Sequence, residues 1–87
     1  MNWIYPNVIN FLKIKCYSFL NKEISVEEIQ SIIYNTEHQI LSIEEKWLRE
    51  LLFNIENEIE LLRYTVDKEQ LETAVELIIK NLLAKLK

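Results

Sequence analysis

His38 is the only histidine and Cys16 the only cysteine in these 87 residues, so metal or nucleophile chemistry would have to begin at one of them. Glu37 stands directly beside His38, which breaks the helical Glu-x-x-His spacing that lets two ligands share one helix face. The histidine therefore reads as solvent-facing, and neither a metal site nor a cofactor is expected. Cys16 falls on an apolar stripe with no histidine near it in sequence, which is the setting of a buried, inert thiol. Glu56 and Glu60 are four residues apart and share one side of a helix, where two carboxylates can divide acid and base roles, yet exposed glutamates at that spacing are usually only solvated. The chain has no glycine, and so no phosphate loop or dinucleotide fingerprint of the usual kind. The expectation is a protein that is not an enzyme and that works through a binding surface.

Spacings of four, three, four, three and four link Lys46, Glu50, Phe53, Asn57, Glu60 and Tyr64. At 100° per residue they form one stripe, on the side of a helix away from Leu52, Ile55, Ile59 and Leu62. Rings standing among carboxylates suit protein recognition, the ring supplying affinity and the charge steering encounter. On the preceding helix Glu27, Gln30, Tyr34, Glu37 and His38 share a polar side that can extend this surface. The candidate partner-binding residues are Glu50, Phe53, Asn57, Glu60, Tyr64, Tyr34 and Glu37. Phe53 has two readings, an exposed anchor or a contact with the first helix. A solvated face with a singly exposed ring is the plain alternative for Tyr34.

Charge sharpens the choice of partner. Net charge is −4 and the isoelectric point about 5.0, which disfavours direct nucleic-acid binding, since that wants clustered Lys and Arg. Nine of the 14 acidic residues lie between Ser25 and Tyr64, against Lys46, Arg49 and Arg63 alone. That imbalance points to a basic partner. The lone cysteine favours a reducing cytoplasm over a disulfide-built secreted domain. Pro6, Asn7, Asn10, Lys13 and Lys15 interrupt the apolar N-terminal stretch, and no run approaches the roughly 18 apolar residues of a membrane span, so no membrane association is expected.

The elements that must position these residues are helices. Without glycine, left-handed turns and glycine caps are not expected, and Pro6 is the single proline, suited to a helix's first turn. Val8, Ile9, Leu12, Cys16, Phe19 and Leu20 then recur at helical spacing, predicting a helix over about 6–21. Ser25-Val26-Glu27-Glu28 has the form of a capping box, as does Ser42-Ile43-Glu44-Glu45, with Asp67-Lys68-Glu69-Gln70 a third version. These starts predict helices over about 26–40, 43–64 and 68–86. Their core stripes are Val26, Ile29, Ile33 and Ile40, then Leu48, Leu52, Ile55, Ile59 and Leu62, then Leu71, Val75, Ile78 and Leu82. Arg63 and Arg49 are expected to pair with Glu60 or Glu45, Trp47 to pack, and Trp3 either to remain mobile or to dock back. Short connections predict an all-α, single-domain up-down bundle of about four antiparallel helices over residues 1–87. Glu27, Glu28, Glu44 and Glu45 suit first turns, so part of the acidity is a folding signal.

The stretch Asn54-Ile-Glu-Asn-Glu-Ile-Glu-Leu-Leu-Arg-Tyr-Thr, followed by the helix that contains Gln70, Leu71, Ala74 and Val75, resembles small all-helical bacterial immunity proteins. These neutralise the toxin domains of contact-dependent growth inhibition systems and colicin D-like nucleases. The resemblance spans mainly residues 42–87 and transfers no functional residue by position. It implies a cytoplasmic toxin inhibitor that binds a cognate toxin domain with a basic surface, a nuclease whose cleft is made for RNA. The alternative is a non-catalytic interaction or regulatory module, with a homodimer through the same face.

Overall fold

The computed structural model describes residues 3–87 and has four helices: α1 over Pro6–Leu20, α2 over Val26–Gln39, α3 over Lys46–Thr65 and α4 over Lys68–Leu86. A 3-10 turn, Ile43–Glu45, leads into α3. The expected all-α bundle is what forms. Each helix packs against two others, α1 on α2 and α4, and α3 on α2 and α4, which sets α1 and α3 across the bundle from each other. Side-chain contacts show α2 and α3 to be antiparallel, since Gln30 meets Glu60 and Arg63 while Glu37 meets Arg49. None of the described helices is long and apolar enough to cross a membrane.

The core joins Ile9, Leu12, Cys16 and Phe19 of α1 to the α2 and α3 stripes and to Val75, Ile79, Leu82, Leu83 and Leu86 of α4. On α4 Val75 and Leu82 are buried as expected, and the seam departs from the expected line only between them. Ile79 is fully buried, while Ile78 is only partly so. Burial drives the Cys16 thiol pKa up to about 12, so it stays protonated and inert.

The starts and stops show which sequence signals were obeyed. The Ser25 hydroxyl accepts from Glu28 N–H at 3.1 Å, and the Glu28 carboxylate accepts from Ser25 N–H at 3.3 Å, which completes the capping box. The second box does not form. Ser42 Oγ accepts from Glu44 N–H at 3.2 Å, and Glu45 turns inward, where its Oε2 accepts from Ile4 N–H at 2.9 Å. Ile4 precedes α1 and its amide has no helical partner, so a buried carboxylate supplies the acceptor that the backbone lacks. This clasp lays the N-terminal segment on the start of α3 and brings the Trp3 ring within 5.9 Å of Trp47. At the third start the Asp67 side chain makes no cap; its carbonyl accepts from Gln70 and Leu71 N–H at 2.9 Å, in a connection exposed to water.

The glycine-free chain does make a left-handed turn. Lys22, just past α1, has φ of 65°. Its N–H donates to the Phe19 carbonyl at 3.0 Å, and Glu23 N–H donates to Ser18 at 2.9 Å, the paired bonds of a Schellman cap. A lysine takes the role in which glycine would be at ease, because those two bonds satisfy carbonyls that α1 would otherwise leave open.

Candidate functional site

The α2–α3 pair carries the candidate residues, and a polar seam beside its core decides which of them face water. Gln30 and Glu37 were expected on a solvated side of α2, yet they are 6% and 7% exposed, respectively. They lie one helical step from the Val26–Ile29–Ile33 stripe, and the close packing of α2 on α3 carries them into the interface. The Gln30 amide donates to Glu56 Oε1 at 3.1 Å and to Glu60, and its carbonyl accepts from Arg63 Nη1 at 2.8 Å. Arg63 also lies 3.8 Å from Glu60. Glu60 is therefore held within a cross-helix network, where an outward carboxylate was expected.

Glu37 is the second tie. Its Oε1 lies 3.4 Å from Arg49 Nε, so Arg49 pairs with Glu37, and the expected Arg49–Glu45 pair does not form. His38 Nδ1 lies 2.8 Å from both the Tyr34 carbonyl and Glu37 Oε2. It is aligned for the carbonyl only, which leaves Oε2 without a hydrogen bond despite the short approach. The His38 ring also sits 4.3 Å from the Tyr34 ring and faces solvent, as expected. Among the described residues, no group of three or more His, Cys, Asp and Glu is arranged to hold a metal ion.

The rings do face outward. Phe53 is 54% exposed, so of its two readings the contact with α1 fails, and Tyr34 and Tyr64 are 52% and 81% exposed. Tyr34, Glu37, Phe53 and Asn57 meet with Arg49 and Glu56 along an α2–α3 groove of about 420 Å³. Glu50 belongs to an adjoining groove of about 540 Å³ that shares Glu37, Arg49 and Phe53. Lys46 lies 3.8 Å from Glu50 there. Glu60 stands farther along α3 with Gln30, and Tyr64 one turn beyond it; neither lines these two grooves.

Leu41 and Ile43 are the residues that the sequence reading missed. They line the larger groove and are 72% and 84% exposed. A signal was present, because two large aliphatics flank a serine in a connection too short to bury them. The helix-start reading of Ser42 absorbed it. With Phe53 they form an apolar corner edged by Lys46, Arg49 and Glu50, a surface suited to protein contact. Comparison with protein-family models, curated proteins and solved structures returns no match for this chain.

Proposed function

We propose that this four-helix protein is a non-catalytic immunity protein, one that binds a cognate bacterial toxin domain with a basic, RNA-handling surface and blocks it. The observation that carries the reading is Phe53, a large ring half in water on a helix that also sends Glu50 outward, continuous with Leu41 and Ile43. An anchor of this kind loses water when it docks, while the exposed Glu50 carboxylate contributes to steering a basic partner. The toxin itself is suggested by the family resemblance of residues 42–87. Glu28, Glu37, Glu45, Glu56 and Glu60 hold structural hydrogen bonds, so beside Phe53 the steering charge narrows to Glu50.

The test is binding to the toxin domain encoded immediately upstream. Phe53→Ala is expected to weaken the complex by about thirtyfold, a loss of about 2 kcal/mol. Glu50→Lys is expected to slow association and to flatten its salt dependence. Glu58→Lys makes the same charge change beside the α3–α4 groove and is expected to leave affinity near wild type. Wild-type binding by both Phe53→Ala and Glu50→Lys would refute this face. Failure of the chain to protect cells that express the toxin would refute the function.

A further inference from the structure

The outer face of α1 is apolar, although α1 already gives another face to the core. Phe11, Ile14 and Tyr17 are 52%, 61% and 51% exposed and share one side of the helix. A helix that is apolar on both sides asks for a second cover. The face is also symmetric in residue type about Ile14: Phe11 and Tyr17 stand three residues to either side, Asn10 and Ser18 four, and Asn7 and Asn21 seven. Lys13 and Lys15 flank it one residue to either side, and no carboxylate lies on the helix.

We propose that this face docks on the same face of a second copy, the two α1 helices crossing antiparallel on a two-fold axis at Ile14. A two-fold interface brings one patch against itself, so each position must suit its mirror position. Here Ile14 meets Ile14, each Phe11 ring meets a Tyr17 ring, and asparagines meet polar residues at the ends. The like charges of Lys13 and Lys15 are the cost. Lys15 already leans back, its Nζ 5.4 Å from the centre of the Phe11 ring. A foreign partner or an anionic lipid surface would have no need of the mirror pattern, which is why a second copy is the occupant. One helix a side is small beside the roughly 1,200 Å² of a stable specific interface, so the dimer is weak and forms at tens to hundreds of micromolar. Because α1 lies across the bundle from α3, both α2–α3 faces stay open in the dimer.

Sedimentation equilibrium of the full chain up to about 1 mM is expected to show monomer passing to dimer, with tighter association as salt screens the lysines. Ile14→Glu sets two like charges together on the axis and is expected to raise the dissociation constant at least about tenfold, with an unchanged helical circular-dichroism spectrum. Ile14→Cys is expected to cross-link into a covalent dimer on mild oxidation, whereas Phe53→Cys is not. A chain that stays monomeric throughout, a dimer indifferent to Ile14→Glu, or cross-linking at Phe53→Cys in place of Ile14→Cys would each overturn the proposal. So would a monomeric chain whose binding to vesicles of anionic phospholipid is lost in Ile14→Glu.

Discussion

Changing one atom in the α2–α3 seam tests whether its hydrogen bonds hold the two helices together. Gln30→Glu keeps the shape of a 6%-exposed side chain and keeps its acceptor for Arg63. It removes the amide that donates to Glu56 and Glu60 and sets a third carboxylate between them. Hydrogen bonds to charged groups contribute about 1.5–3 kcal/mol each, and water recovers about half of that for partly exposed partners, leaving a loss of about 1.5–3 kcal/mol for the two. Repulsion adds to this and the Arg63 charge offsets it, so the net cost is about 2–4 kcal/mol. For a domain of this size that lowers Tm by about 8–32 °C, measured by thermal circular dichroism at pH 7. Combining Gln30→Glu with Glu60→Gln restores a donor and an acceptor in swapped positions and is expected to recover at least half of the loss. A Gln30→Glu variant that melts within about 3 °C of wild type would refute the reasoning, as would a double variant no better than the single.

Two other features give checks that need no partner. Lys22→Gly relieves a left-handed lysine at the end of α1 and is expected to stabilise the fold by about 1 kcal/mol in urea denaturation, with the exposed Lys22–Glu72 pair a minor loss. The thiol pKa of Cys16 rises from 9.0 to about 12 on folding, so its contribution is fully present below pH 9 and is lost as pH climbs toward 12. Wild type is therefore expected to lose stability relative to Cys16→Ala across that window, by up to about 1.4 kcal/mol per pH unit, with parallel pH profiles counting against it.

The four helices were legible because their signals are local: Pro6, the Ser25 box and stripes at helical spacing depend on neighbours within a turn. The misses arose where a distant group decided the outcome. Glu45 reads as a cap from its own tetrapeptide, but the Ile4 amide, 41 residues away in sequence, takes its carboxylate. Gln30 and Glu37 read as solvated because projection of a single helix cannot show how closely α3 approaches. Phe53 could not be assigned until the position of α1 across the bundle was known. Glu50, Asn57 and Tyr34 were correctly read as outward-facing, since a polar stripe opposite a core stripe has few other places to go. Leu41 and Ile43 escaped because periodicity assigns no face to a connection.

The clasp between Glu45 and Ile4 puts both tryptophans of the chain at one place, Trp3 against Trp47 at the start of α3, one turn from Glu50. The protein thus carries its own optical label beside the surface of interest. Docking at the α2–α3 corner can be followed by indole emission from the unmodified chain, without a label that would perturb the surface it reports on.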